Sequence, residues 1–88
     1  MNFTVLWLPD AENELMVRGM NAPDRNALSK AAHEIDSELR RHPAEVGESR
    51  SEGRRILFAP PLGVYYRIDH ENRIVTVSHV WEYKRRGD

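Results

Sequence analysis

The sequence predicts an α+β domain in which a helix hairpin packs, as one layer, on a mainly antiparallel four-stranded sheet. Apolar residues recur at three- and four-residue spacing between residues 24 and 41, which is typical of an amphipathic helix. Three segments rich in β-branched and aromatic residues follow residue 53, and turn signals separate them. Together with a short apolar run near the N-terminus, the predicted order is β-α-α-β-β-β, a two-layer sandwich.

Length and composition restrict the classes of function. The 88 residues fit one domain, 1–88, whose last residues, 84–88, form a short charged tail. The lack of cysteine excludes disulfides, thiolate metal sites and a cysteine nucleophile. The four histidines lack metal-ligand spacing and no glycine-rich phosphate loop is present, so we expect no metal and no other cofactor. No apolar run approaches the roughly 18 residues of a membrane span, and the first residues lack the basic region of a signal peptide, so we expect a cytoplasmic protein.

The first strand and the first helix are predicted from the N-terminal residues. Residues 2–8 form an apolar run of β-formers that Pro9 ends, and because both faces of the run are apolar we expect it to be well covered. The first helix is predicted to begin at Pro9-Asp10, with Asp10 as its N-cap, and to continue to about Met20.

The second helix is predicted from near Pro23-Asp24 to about Arg41, and Pro43 closes it. Its spacing produces a single apolar stripe, formed by Leu28, Ala31, Ala32, Ile35 and Leu39. Because the connection between the two helices is short, we expect them to form an antiparallel hairpin.

The rest of the chain is predicted to be a polar loop followed by strands. The loop spans residues 43–53, which include two glycines and two serines. Three strands follow, at residues 54–59, 62–69 and 73 to about 83.

Alternation along these strands predicts which side chains face the helices. In the middle strand one face carries Leu62, Val64, Tyr66 and Ile68, and we assign that face to the helices. In the last strand the choice stays open, because two rows begin apolar: the row of Ile74 and Val80, and the row of Val77, His79, Trp81 and Tyr83.

These elements and their motifs resemble the RelE/ParE superfamily of bacterial toxins over nearly the whole chain. The matching segments are FTVLWLPDAENEL and GRRILFAPPLGVYYRIDHENRIVTVSHVW, in which VYYRID is similar to the third-strand motif and VTVSHVW to the last-strand motif. The resemblance implies the toxin of a type II toxin-antitoxin module, which a cognate antitoxin protein neutralises. RelE-like members cut mRNA on the ribosome, whereas ParE-like members inhibit DNA gyrase without being nucleases. A third hypothesis is a non-toxic family remnant that acts as an antitoxin-binding module.

The RNA-cutting branch requires residues that move protons and hold charge. Without a metal, a 2′-hydroxyl attacks the neighbouring phosphate, which needs a base, an acid for the leaving oxygen, and cations. The candidate catalytic residues are His79, with Tyr83 as its partner and Arg67 at the phosphate. The candidate RNA-binding residues are Arg54, Arg55, Tyr65, Trp81, Lys84 and Arg85.

Two departures from the RNA-cutting pattern keep the alternatives open. Gly63 stands where those relatives normally have an arginine, and the place of a second arginine falls near Glu82-Tyr83. The net charge of -1 is also lower than in most RNA-cutting members, which are basic. We favour RNA cleavage over gyrase inhibition because His79 and Tyr83 supply groups suited to proton transfer.

Overall fold

The computed structural model describes residues 2–83 and contains two helices on one face of a five-stranded sheet. Across these residues, no helix is both long and apolar enough to cross a lipid bilayer. The elements in chain order are β1 (Thr4–Trp7), α1 (Pro9–Asn21), α2 (Arg25–Arg41), β2 (Glu48–Ser49), a tight turn (Ser51–Gly53), β3 (Arg55–Ala59), β4 (Leu62–Asp69) and β5 (Ile74–Glu82).

The sheet has the strand order β1-β5-β4-β3-β2 and is antiparallel except for the pairing of β1 with β5. The fifth strand is β2, a two-residue edge strand that pairs Glu48 with Ile56 and Ser49 with Arg55. The sequence placed these two residues in a polar loop, because a strand of two residues has no alternation that could reveal it. The predicted α+β architecture and element order are otherwise confirmed.

β1 is an edge strand and is less covered than the sequence predicted. Thr4 and Leu6 are exposed, and Leu6 keeps 49% of its surface accessible. The prediction was wrong because the helices cover only one face of the sheet: Val5 pairs with the buried Val75 on that face, whereas Thr4 and Leu6 lie on the opposite face.

The two helices begin differently at the level of side chains. In α1 the N-cap is Leu8 and Pro9 occupies the start of the helix, so the prediction of Asp10 as N-cap was wrong. Pro9 suits that position because its missing N–H would lack a helical partner there anyway, and it moves Asp10 into the first turn. In α2 the Asp24 carboxylate is the cap and accepts a hydrogen bond from the N–H of Ala27 at 3.1 Å.

The core lies between the sheet and the apolar stripe of α2. Leu62, Val64 and Tyr66 of β4 are fully buried, which confirms the face assigned to the helices. Burying an aliphatic side chain of this size contributes roughly 1.5–3 kcal/mol, so this layer supplies much of the stability. The buried residues of α2 are Leu28, Ala31, Ile35 and Leu39.

A β-bulge in β5 decides which of its side chains enter the core. Tyr65 pairs with His79, but Tyr66 pairs with Val77, so Ser78 is an extra residue in β5. The bulge shifts the alternation, and Val77 and Val80 are therefore both buried. Neither of the two rows considered from the sequence stays intact, because strict alternation holds only while the pairing has no extra residue.

The loop after α2 is fastened to the sheet through one buried hydroxyl. The Tyr66 hydroxyl lies 2.8 Å from the carbonyl oxygens of both Pro43 and Val46, which share its single hydrogen, and it accepts from Arg55 Nε at 3.2 Å. Arg55 also donates to Ser49 Oγ at 2.9 Å and to the Val46 carbonyl at 3.0 Å. Tyr66 and Arg55 together therefore hold residues 43–49 against the core.

We predict that Tyr66→Phe lowers the free energy of unfolding by about 1–3 kcal/mol, because buried carbonyls lose their donor and Arg55 loses an acceptor. Urea unfolding followed by fluorescence measures this change. The control is Tyr65→Phe, which removes a hydroxyl from the opposite face of the sheet. An equal loss of stability in both variants would contradict this role of the Tyr66 hydroxyl.

The same residue makes the free energy of unfolding depend on pH in the alkaline range. Burial raises the pKa of Tyr66, and the hydrogen bond from Arg55 opposes that rise. Because the unfolded hydroxyl ionises near its usual pKa of about 10, the contribution of Tyr66 to stability is complete below that pH. It is lost as the pH rises from there through the pKa of the folded state, and the Tyr66→Phe variant should lack this loss.

Candidate functional site

The candidate site is the face of the sheet opposite the helices. Five ring side chains form a continuous line across it, which we call the aromatic row: Tyr83, Phe58, Trp81, Tyr65 and His79. Successive ring centroids lie 5.2, 6.0, 5.0 and 6.1 Å apart in that order. Strand pairing produces the row, since β4 lies between β3 and β5 and its outward residues meet outward residues of both.

Gly63 is required by the packing of Trp81. A Cβ atom at Gly63 would lie 2.7 Å from Cε2 and from Cζ2 of the indole, closer than real contacts of this kind. The indole therefore lies directly over the backbone of β4. The position where RNA-cutting relatives carry an arginine is thus covered by Trp81, which leaves no room for a side chain there while the indole holds this place.

His79 and Tyr65 are neighbours at one end of the aromatic row. The His79 ring is exposed, its Nδ1 lies 3.0 Å from Ser78 Oγ, and it meets the edge of Tyr65. Tyr83 belongs to the opposite end, where its ring contacts Phe58. Tyr83 follows His79 by four positions, which corresponds to about 13 Å at the usual rise of an extended chain. The structure therefore brings Tyr65, and not Tyr83, beside His79.

The arginines of the site differ in what they contact. Arg54 lies over the Tyr65 ring, with its Cζ 4.6 Å from the ring centroid, and its Nε is buried without an acceptor within residues 2–83. Arg67 is exposed and donates to the Glu52 carbonyl, so its side chain leans towards the tight turn 51–53. Of these two, only Arg54 has its guanidinium against the aromatic row.

Arg55, a further predicted RNA-binding residue, does not lie on this face. Arg55 pairs with Tyr66 and so points to the helix side of β3, where its guanidinium donates to the loop after α2. Its direct contact with RNA would require breaking those bonds. Lys84 and Arg85 lie outside the described residues.

Phe58 is a member of the row that sequence reasoning missed. It is 46% exposed, and it contacts both Trp81 and Tyr83. The segment RILFA looked uniformly apolar, so nothing marked Phe58 as an outward residue. The available signal was its place opposite Gly63, where a residue without a side chain leaves space for large rings around it.

Comparisons with known proteins identify solved structures that share this fold. No family model and no curated protein matches the chain. Among solved structures, a chain of the RelBE2 toxin-antitoxin complex from Mycobacterium tuberculosis is similar, with 26% identity and a TM-score of 0.75 over 93% of this chain and 92% of that one. A chain of the chromosomal ParDE system from P. aeruginosa follows at 13% identity and a TM-score of 0.70, covering 93% and 97%.

The chain has the fold of RelE/ParE-like toxins. The similarity spans nearly all of both neighbours, and it confirms the superfamily and the fold that the sequence motifs predicted. The neighbours indicate the toxin of a type II toxin-antitoxin module, and they do not distinguish RelE-like from ParE-like activity. A conserved hypothetical protein from Helicobacter pylori shares the fold at 15% identity and a TM-score of 0.56, covering 91% and 93%.

We predict that Gly63→Ala displaces the Trp81 indole, because the new methyl group and the indole would occupy the same space. The expected results are an altered tryptophan emission maximum and a loss of about 1–3 kcal/mol in the free energy of unfolding. Both are measured during urea unfolding with fluorescence detection.

Gly19→Ala is the matched control. A Cβ atom at Gly19, within α1, would meet open space. Replacing glycine by alanine in a helix stabilises it by about 0.5–1 kcal/mol, so this variant should be at least as stable as the parent chain. An unchanged emission maximum in Gly63→Ala would show that Trp81 does not depend on the absence of a side chain at residue 63.

Proposed function

We propose that this RelE/ParE-like toxin cleaves mRNA on the ribosome, as RelE-like toxins do. One arrangement carries the proposal: His79 and Tyr65 are neighbours on the sheet face opposite the helices, and the Arg54 guanidinium lies against Tyr65. Two groups able to transfer protons thus lie beside a cation, which is the combination that metal-free RNA cleavage requires.

The proposed reaction is an internal transfer at phosphorus. His79 accepts the proton of a ribose 2′-hydroxyl, whose oxygen forms a new bond to the adjacent phosphorus as the bond to the 5′-oxygen breaks. Tyr65 donates its proton to that leaving oxygen, and Arg54 stabilises the negative charge that develops on the phosphate. The products are a 2′,3′-cyclic phosphate and a 5′-hydroxyl, and no redox partner takes part.

The remaining aromatic residues are proposed to hold the RNA bases. Trp81 and Phe58 extend the row away from His79, and Phe58 is the more exposed of the two. Bases that leave the helical stack are held by aromatic side chains in many RNA-binding proteins. Tyr83 contacts Phe58 at the far end, so we now assign it to base stacking instead of proton transfer.

Gyrase inhibition is the second candidate function, and it is favoured because few arginines on this face are free to bind phosphate. Trp81 covers Gly63, while Arg55 and Arg67 donate to backbone carbonyls of their own chain. A face that offers few free cations and many rings is also suited to a protein target. In this reading the aromatic row contacts gyrase and His79 has no chemical role.

Either activity would be restrained by a cognate antitoxin. Both similar structures come from toxin-antitoxin systems, and helix α1 of this chain presents exposed apolar side chains. Met16, Val17 and Met20 keep 58, 45 and 68% of their surfaces accessible, which is unusual for side chains of this type on a free surface. We propose that the antitoxin covers this part of α1.

We predict that His79→Ala slows mRNA cleavage by roughly 10²–10⁴-fold, since it removes the general base. Tyr65→Phe should also slow it, and Tyr83→Phe, which keeps its ring, should slow it less. The measurement is mapping of new mRNA 5′ ends after the purified toxin is added to programmed ribosomes. The control is His33→Ala, which removes an exposed histidine from α2.

The same proteins are then tested on DNA gyrase. Intact mRNA at saturating toxin, together with blocked supercoiling, would replace the nuclease by the ParE-like activity. If neither target responds and induced expression leaves growth unchanged, the chain is a non-toxic antitoxin-binding module.

We predict that Met20→Asp weakens binding of the product of the adjacent antitoxin gene about 10-fold, because a charge replaces an apolar contact. Asn26→Asp is the control: it adds the same charge at an exposed residue of α2. Isothermal titration calorimetry with both purified proteins gives the two affinities. Equal affinities would place the antitoxin elsewhere on the toxin.

A further inference from the structure

A second group of cations lies next to the aromatic row, where β3 begins and β4 ends. There a cleft of about 220 Å³ is lined by Arg50, Arg54, Arg55 and His70. No aspartate or glutamate is among the described residues that line it, so its walls carry a net positive charge. We call it the arginine cleft.

A short hairpin turn builds the wall of this cleft. Residues 51–53 form the turn, in which Glu52 and Gly53 have left-handed φ angles of 63 and 75°. The Arg50 N–H donates to the Arg54 carbonyl at 2.7 Å, which closes the turn, and Arg67 donates to the Glu52 carbonyl from β4. The turn is therefore held to the neighbouring strand, and the side chains of Arg50 and Arg54 emerge from a fixed backbone.

The cleft keeps donors that no strong partner occupies. The buried Nε of Arg54 has no acceptor within residues 2–83. Arg50 lies 3.6 Å from Glu48 and donates through Nη1 to the Ser49 carbonyl at 3.1 Å. Because both contacts are at exposed sites, they contribute little and can yield to another anion. Arg55 donates to its own loop and contributes only its charge, while the exposed His70 adds a further ring nitrogen.

We propose that the arginine cleft binds a backbone phosphate of single-stranded RNA, one that neighbours the phosphate at His79. This inference rests on the proposed RNA cleavage and extends its substrate site beyond the aromatic row. Arg54 connects the two places, because it lines the cleft and also lies over Tyr65. Because Tyr65 acts at the scissile phosphate in the proposed reaction, a cleft of guanidinium groups directly beside it is suited to the next phosphate of the same strand and less to an isolated carboxylate.

The experiment compares RNA binding by the full-length toxin and its variants. Fluorescence anisotropy with a labelled 12-nucleotide single-stranded RNA measures affinity at several salt concentrations. We expect Arg50→Gln and His70→Gln each to weaken binding about 5-fold, and Arg50→Gln to reduce the slope of log affinity against log salt by about 0.7. The matched control is Arg25→Gln, which removes an exposed arginine at the other end of α2 and should bind RNA as the parent does.

A titration with inorganic phosphate tests the cleft without RNA. By nuclear magnetic resonance we expect the Arg54 Nε–H and His70 ring signals to shift, and the shifts to shrink in Arg50→Gln. Shifts with phosphate but unchanged RNA affinity in both cleft variants would identify a site for a free anion and overturn the RNA assignment. Weaker antitoxin binding with unchanged RNA affinity would likewise overturn it in favour of an acidic peptide.

Failure of the cleft and failure of the proposed activity give different results. If His79→Ala abolishes cleavage while both cleft variants bind RNA and cut it as the parent does, the cleft proposal is wrong and the nuclease stands. If the parent protein cuts no mRNA but both cleft variants bind RNA more weakly than the parent does, the nuclease proposal is wrong and the cleft is a phosphate site. Stability of each variant, measured by urea unfolding, ensures that folded proteins are compared.

Discussion

The extra residue in β5 is the constraint on which both faces of the sheet depend. Ser78 interrupts the pairing of β4 with β5, so that Val77 and Val80 both reach the core. The same interruption turns His79 and Trp81 to the outer face, beside Tyr65. With strict alternation, Val77 and His79 would share a face, and either an imidazole would be buried in the core or a valine would leave it. The bulge thus supplies a complete core and an outer face with functional groups at once.

The outer face that results is built around rings more than around cations. The indole of Trp81 fills the space above Gly63, where the resemblance to RNA-cutting toxins leads one to expect an arginine, and Arg55 donates to the loop after α2. Arg54 lies against the aromatic row, and Arg50 extends the positive charge into the neighbouring cleft. If RNA is the substrate, base stacking must therefore contribute much of its binding, and the phosphates are held at the margin of the face instead of its centre.

Much of the fold could be predicted because its signals are local. The α2 stripe at Leu28, Ile35 and Leu39 and the alternation of Leu62, Val64 and Tyr66 both result from regular periods of backbone geometry. The candidate site was harder to predict. Its residue types were recognised in Tyr65, Trp81 and His79, but a shared face did not make His79 and Tyr83 neighbours, because they lie at opposite ends of the aromatic row. Phe58 was hidden in an apolar segment.

The sequence by itself determined the two helices, four of the five strands, the two-layer architecture and the resemblance to the RelE/ParE toxins, because helix stripes, strand alternation and motifs involve residues close together in the chain. Only the tertiary structure decided which groups meet. Three contacts join residues that are distant in the chain: Arg55 donates to Tyr66, Trp81 covers Gly63, and Arg54 lies over Tyr65. Such contacts depend on register, and one extra residue at Ser78 changes the register without leaving a periodic signal in the sequence.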